Sequence, residues 1–397
     1  MFRTIASNTT AQLLTKFFGA GLTLLTTYFT IRLAGLELYG DLTKILVLVA
    51  VGFTIIDFGL NAEAVRSSLT PTELLSHLQT VFLSRLFLSF LAIISLNLVI
   101  AFLPGGYSPA VKSVFWLGSL AIIFQGVYTS GNAYFQARLL LWRSALSVIV
   151  GSLFGALLTF YYLKYSPTLS HLVLANTFGY LVMAICSILL LPSLTSKGWR
   201  LTSIFPFLHR SLTLGLILIA SVLASKIDTI ILGVFRSSYE VGEYGLSYRI
   251  FDVFLVLPVF VMNAVYPFLV KAKTKGSSSA LISQTTKSMV VLGVGAAIFL
   301  YLAAPFVGYL KPGLILAPHV LRLLSLSLPL FYVTAPLMWG LIALRRDKQV
   351  LQIYLAAAIL NGFLNLIFIP LFGPLAAAII TGLTELFILL SLLYFSR

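Results

Sequence analysis

Long apolar runs, each closed by a short polar loop, occupy nearly the whole chain. A helix that crosses a bilayer needs about 20 largely apolar residues. Runs of that length predict about twelve spans, at 11–34, 42–65, 78–103, 111–135, 144–164, 168–192, 211–235, 244–270, 288–310, 317–344, 350–372 and 374–396. The expected fold class is therefore all-α, a polytopic membrane protein. Composition points the same way, with 59% hydrophobic and 9% charged residues and a mean hydropathy of +1.04.

The net charge of +15 would suggest a nucleic-acid partner in a soluble chain. Here the basic residues sit mainly between spans, where the excess of Lys and Arg in cytoplasmic loops accounts for them. With the N-terminus inside, the cytoplasmic segments hold Arg3, Arg66, Arg138, Arg143, Lys197, Arg200, Arg210, Lys271, Lys273, Lys275, Lys287, Arg345, Arg346, Lys348 and Arg397. The opposite loops hold only Lys112, Lys164, Arg236 and Lys311. This asymmetry predicts both termini on the cytoplasmic side and an even number of spans. No loop is long enough for a soluble domain. The single cysteine, Cys186, lies in an apolar run and can form neither an intrachain disulfide nor a cysteine-based metal cluster. Met1–Thr10 is polar and runs straight into a span, so a cleaved signal peptide is not expected.

The widest central loop, Pro192 to Arg210, parts six spans from six, giving two expected bundles at 1–200 and 201–397. A short echo crosses that division. Leu38-Tyr39-Gly40-Asp41-Leu42-Thr43-Lys44-Ile45 opens the second span, and Glu243-Tyr244-Gly245-Leu246-Ser247-Tyr248-Arg249-Ile250 opens the eighth. Each has Tyr-Gly, a basic residue four positions after the glycine, and then Ile. Six spans per half leave the halves in one orientation, related by an axis along the membrane normal.

Charges within the spans are costly, roughly 2.5–3.5 kcal/mol each on insertion scales, and by default mark a cavity or pathway. They are Lys16, Lys44, Arg85, Lys226, Arg249 and Arg322, with Asp57, Asp228, Asp252 and Glu385. Cations near helix ends can instead snorkel to the headgroups, and for Arg85 and Arg322 both readings stand. Lys44 and Arg249 occupy equivalent positions of the echo. If the halves share a pseudo-two-fold axis, the two cations face one central space and suit an anion such as pyrophosphate. The competing reading pairs Arg249 with Asp252, three residues on along one helical face. Lys226 and Asp228, two apart, point to different faces.

Polar stripes recur at helical spacing. The first span carries Asn8, Gln12, Lys16, Gly19, Thr23, Thr26 and Thr30; the fourth carries Gln125, Thr129, Asn132 and Gln136; the eleventh carries Tyr354, Asn361 and Asn365. Small and hydroxyl residues often serve only helix packing, which is the reading for Gly151-x-x-x-Gly155. Aligned amides with a lysine point to a hydrated cavity face. Pro258, Pro267, Pro329 and Pro336 kink the eighth and tenth spans, as in rocking transporters and in static bends alike. No nucleotide-binding G-x-x-x-x-G-K-[ST] loop and no H-E-x-x-H motif occurs, and His77, His171, His209 and His319 are scattered.

At these residues the chain resembles a family. Arg32-Leu33-Ala34-Gly35, Tyr39-Gly40-Asp41, and Asp57-Phe58-Gly59-Leu60-Asn61 through Arg66 are similar to the start of the polysaccharide transporter family, the Wzx-type O-antigen and capsule repeat-unit flippases of the multidrug/oligosaccharidyl-lipid/polysaccharide (MOP) superfamily. Lys226-Ile227-Asp228, Ile231-Leu232-Gly233, Val241-Gly242-Glu243-Tyr244-Gly245, Arg249, Tyr266-Pro267 and Gly373-Pro374-Leu375-Ala376-Ala377-Ala378 extend the likeness to the last loop.

The resemblance implies two six-helix bundles around a central cavity that work by alternating access. The implied substrate is an undecaprenyl-pyrophosphate-linked oligosaccharide, moved from the cytoplasmic to the periplasmic leaflet of the bacterial inner membrane. Lys16, Lys44, Arg249 and Lys226 would hold the pyrophosphate. Gln12, Gln125, Tyr128, Thr129, Asn132, Tyr354, Asn361 and Asn365 would meet the sugar. Asp57, Asp228, Asp252 and Glu385 are the candidates for coupling to a proton or sodium gradient. No cofactor, metal or enzymatic activity is expected. The expected partners are the lipid-linked substrate, membrane lipid and polysaccharide polymerase or assembly proteins, with the flippase itself a monomer. A small-molecule exporter of the same superfamily is the alternative, although such exporters favour acidic cavities and basic groups outnumber acidic ones here. A membrane-embedded polymerase or ligase would need a large outer loop, which is missing.

Overall fold

The computed structural model describes residues 2–67, 71–138, 140–191, 201–271 and 275–396. Regular structure among them is entirely helical. In chain order the helices are α1 (Phe2–Ala34), α2 (Leu36–Asp57), α3 (Leu60–Ser67), α4 (Pro71–Phe102), α5 (Pro109–Ala137), α6 (Leu141–Tyr165) and α7 (Leu169–Leu190). They continue with α8 (Ile204–Phe235), α9 (Ser238–Lys271), α10 (Lys275–Ala303), α11 (Leu316–Ala343), α12 (Asp347–Phe372) and α13 (Pro374–Ser396), with short 3₁₀ turns before α8 and after α10. Among the described residues, 12 helical segments are long and apolar enough to cross a membrane, α2 and α3 together forming one of them, Leu36–Ala64. The protein is an all-α polytopic membrane protein.

Four spans begin at least six residues earlier than the apolar pattern predicts, at Leu36, Leu201, Ser238 and Ala280 rather than 42, 211, 244 and 288; two of these, at Leu36 and Ser238, start with acidic residues. The acids mask those two starts, and in the fold they have partners. Asp41 takes the Lys44 ammonium at 3.0 Å, and Glu243 accepts from the Ala317 backbone N–H at 2.6 Å. The second span also breaks where a continuous helix is expected. Phe58 (φ 43) and Gly59 (φ 67) both adopt left-handed backbone, a conformation glycine reaches without penalty. A Cβ on Gly59 would lie 2.6 Å from the Leu214 Cβ, and the Phe58 ring covers Gly215. The break therefore ends α2 at Asp57, and α3, which carries Asn61, starts at Leu60.

The chain divides into two compact units, Met1–Ile219 and Ala220–Arg397. In the first unit, α6 packs on α7 and α1, and α5 packs on α7, α4 and α2. The α6–α7 contact is made by glycines: a Cβ on Gly151 would approach the Gly179 carbonyl oxygen to 2.7 Å, and one on Gly155 would approach the Gly179 Cα to 3.2 Å. Small residues of this kind let helices approach where lipid offers no hydrophobic drive to associate. In the second unit, α11 is the hub, packed on α10, α9 and α13 while α12 packs on α13. Pro329 and Pro336 lie inside α11 and Pro370 inside α12. Outward faces are large and apolar, for example Phe90, Ile94, Leu98 and Phe102 along α4, as a lipid-facing surface requires.

Candidate functional site

Each unit holds a cavity lined by its own residues, and the two differ in chemistry. The first, of about 330 Å³, lies among α1, α5, α6 and α7. Gly19, Thr23 and Thr26 contribute its α1 wall, Gln125 and Tyr128 its α5 wall, and Ser152, Thr159, Asn176 and Tyr180 most of the remaining polar lining. None of its lining side chains is charged. The threonine hydroxyls donate to their own helices, Thr23 to Gly19 O at 2.8 Å and Thr159 to Gly155 O at 2.8 Å, which leaves oxygen lone pairs toward the space. Tyr128 shares a 3.0 Å hydrogen bond with Ser144, whose hydroxyl donates to Asn132 Oδ1 at 2.7 Å. Gln125 Oε1 is buried with no hydrogen-bond partner among the described residues. Lys16 lies three residues before Gly19 on the same face of α1 and is exposed.

The two fully buried cations of the first unit are held by protein groups. Arg85 is fully buried. Its guanidinium donates to Asp57 Oδ1 at 3.2 Å, Asn61 Oδ1 at 2.8 Å and Ser130 Oγ at 3.2 Å, joining α2, α3, α4 and α5. This is a buried tie, not a side chain snorkelling to a headgroup. Lys44 is also fully buried, with its ammonium on Asp41 Oδ1 at 3.0 Å and on the Gly106 carbonyl at 2.6 Å. It lies 5.9 Å from the centroid of the Tyr107 ring, whose phenol burial pushes above its ordinary range.

The second cavity, of about 260 Å³, lies among α8, α9, α11, α12 and α13. Its lining is mostly apolar and aromatic, including Leu255, Phe331, Trp339 and Tyr354, with one acid, Glu385. Glu385 is buried and accepts from the Thr334 hydroxyl; no Lys or Arg among the described residues pairs with it. Beside the cavity, Asp228 is fully satisfied: Oδ2 accepts from Tyr244 at 2.5 Å and Thr381 at 3.2 Å, and Oδ1 accepts from the Thr229 N–H at 2.5 Å and hydroxyl at 3.1 Å. Asp252 pairs with Lys226 at 3.2 Å, not through the helical spacing that points to Arg249, and Lys226 sits 4.0 Å over the Tyr248 ring. Asn361 donates to Thr384 at 2.8 Å, and Asn365 donates to Asn361 Oδ1 at 2.7 Å. Tyr354 donates to Met338 Sδ at 3.1 Å.

The residues named from the sequence thus fall in different places. Gln125 and Tyr128 line the first cavity; Tyr354 and Glu385 line the second. Thr129 donates to the Gln125 carbonyl at 2.7 Å, and Arg249 is partly buried on α9. Gln12 lies outside the described side chains. The sequence pattern does not point to Asn176, Ser152 and Tyr180, which sit in largely apolar stretches of α6 and α7; an amide at mid-span is the signal that marks Asn176. No group of three or more His, Cys, Asp or Glu residues that could hold a metal occurs among the described residues.

Comparison with known proteins adds the family. A model of the family described as polysaccharide biosynthesis protein matches residues 31–310. No curated protein matches in sequence. Among solved structures, the lipid II flippase MurJ in its inward-closed conformation superposes with a TM-score of 0.80 at 13% identity, covering 98% of this chain and 87% of that one. An inward-facing multidrug-resistance MATE transporter of the MOP superfamily gives 0.71 at 14%, covering 94% and 93%. A MOP-superfamily transporter from Pyrococcus furiosus, described as having a binding pocket of reversed polarity, gives 0.68 at 13%, covering 98% and 94%. At such identities these likenesses show the fold, which is the MOP fold.

Proposed function

This chain belongs to the polysaccharide biosynthesis protein family, and from that premise we propose that it flips undecaprenyl-pyrophosphate-linked oligosaccharide repeat units across the bacterial cytoplasmic membrane by alternating access. The termini would be cytoplasmic, the working unit a monomer and the role that of a transporter, not an enzyme. The observation that carries the reading is on α1. The exposed Lys16 precedes by one turn a wall of Gly19, Thr23 and Thr26 that opens on an uncharged polar cavity. A cation followed by hydroxyl and amide groups matches a pyrophosphate joined to a sugar, since an ammonium attracts phosphate oxygens as a point charge. Arg249, half-buried on α9, is a further candidate. Lys44 and Lys226 belong to the same candidate set, and their contacts with Asp41, Gly106 and Asp252 mean that either would have to exchange a protein partner for phosphate.

For coupling, Glu385 is the strongest of the four acids. Asp57 and Asp252 each neutralise a cation, and Asp228 is held by four donors. Glu385 has one hydroxyl donor and, among the described residues, no paired Lys or Arg, so a proton can discharge it without stranding a partner.

The test is complementation of flippase-null strains carrying different repeat units, with wild type and Lys16→Ala compared at equal membrane abundance. Restored surface polysaccharide in at least one background, reduced about tenfold by Lys16→Ala (the loss of one charged contact), is the expected result. Failure of wild type in every background overturns the reading. A small-molecule exporter is the second reading, favoured by the acidic, aromatic-lined cavity of the second unit, and efflux of an organic cation by the same strains would support it.

A further inference from the structure

We infer that the cavity of the first unit is a subsite for uncharged sugar, taking one or two neutral rings of the lipid-linked substrate and excluding acidic ones. This rests on the flippase reading and sharpens it to a substrate class. Five observations support it. The space of about 330 Å³ lies at the small end of ligand pockets. It is polar without a single charged lining residue, so a carboxylated sugar would lose its hydration with no cation to replace it. Buried polar atoms are nearly always hydrogen-bonded, yet Gln125 Oε1 lacks a partner among the described residues. The Asn176 amide lines the same space. Two amides can each donate and accept, which suits vicinal hydroxyls that do the same. Tyr180 stands edge-on to Phe53 at 5.0 Å, fixing an aromatic wall for the apolar face of a ring.

The glycines of α1 supply the test. A Cβ on Gly19 or on Gly21 would meet nothing within 4 Å. Gly19 lines the cavity, whereas Gly21 is exposed outside it. A Cβ at Gly19 therefore enters the space without a clash, so Gly19→Leu puts its bulk into the subsite, and Gly21→Leu is its matched control. Both replace a helical glycine by a stronger helix former, so neither should unfold the chain.

The full-length protein, purified in detergent, would be titrated with three probes: farnesyl pyrophosphate, farnesyl-pyrophosphoryl dihexose, and the same lipid with glucuronate as the second sugar. The dihexose probe should bind wild type about tenfold tighter than farnesyl pyrophosphate, the equivalent of two or so net hydrogen bonds. Gly19→Leu should erase that increment while leaving farnesyl pyrophosphate binding unchanged, and Gly21→Leu should keep it. An undiminished increment in Gly19→Leu, or glucuronate bound as tightly as dihexose, would overturn the subsite. Binding of farnesyl pyrophosphate with no sugar increment in wild type would sink the subsite and leave the flippase standing. Binding of none of the three would remove both.

Discussion

The two helical units differ in the charge they leave facing a cavity. In the first, both fully buried cations serve as ties, Arg85 joining four helices through Asp57, Asn61 and Ser130 and Lys44 fastening the loop at Gly106, and the cavity lining is neutral. In the second, one acid faces the cavity with a single hydroxyl donor. A neutral polar space suits a ligand recognised by many hydroxyls, whereas an acid without a cation partner suits a species that binds and leaves as a single charge. The comparison teaches that sequence halves that share an echo need not share a task.

The echo itself makes the point on a smaller scale. Lys44, in the first copy, donates to the carbonyl of Gly106, just ahead of α5. Glu243, at the head of the second copy, accepts from the N–H of Ala317 at the start of α11, where the helix dipole favours an anion. Both anchor the start of a later helix, with opposite charge on opposite backbone groups.

The change expected to break the contrast most completely is Glu385→Gln. The amide oxygen still accepts from Thr334 and the volume is kept, so folding should be untouched. If the acid carries the coupling proton, gradient-driven flipping in proteoliposomes should fall about tenfold or more, with exchange in the absence of a gradient retained. Full gradient response in Glu385→Gln would reduce the second cavity to packing space.

Next in size is Arg85→Ala, which probes the tie of the first unit. Removing one partner of a buried pair costs about 3–5 kcal/mol. Asp57, with 46% of its side chain exposed, can regain water, which places the expectation near the lower end, about 3 kcal/mol. The measurement is the thermal midpoint in detergent, against Asp57→Asn as the milder change. A neutral outcome would mean that Arg85 is not the tie and would free it as a candidate ligand for phosphate.

Much of this contrast is not legible in the sequence. The spans are, because about 20 apolar residues can do little else in a chain of this composition. The Phe58–Gly59 break is not, since Asp57-Phe58-Gly59 sits in an otherwise continuous apolar run and its cause, close contact with Leu214 and Gly215, lies more than 150 residues away. Charge pairing fails for the same reason. Helical spacing offers Arg249 to Asp252, but the observed partner is Lys226 on a neighbouring helix. Cavity walls are legible only where polar residues repeat along one face, as on α1 and α5; on α6 and α7 glycine contacts bring isolated polar side chains to the same space.

The smallest expected effect belongs to Lys226→Met, and it tests burial as the reason for the ranking. Its pair with Asp252 has nearly the same length as that of Arg85 with Asp57, 3.2 Å in both. The side chains are 21% and 38% exposed, whereas that of Arg85 is wholly buried. An exposed pair contributes about 0–1 kcal/mol, and the Tyr248 ring beneath the ammonium adds about 0.5–1 kcal/mol, part of which the methionine thioether recovers against the ring. The melting shift should therefore be a third or less of that of Arg85→Ala. A shift as large as that of Arg85→Ala would show that distance, not desolvation, sets the strength of these pairs, and the contrast between the two units would then have to be drawn from their cavities alone.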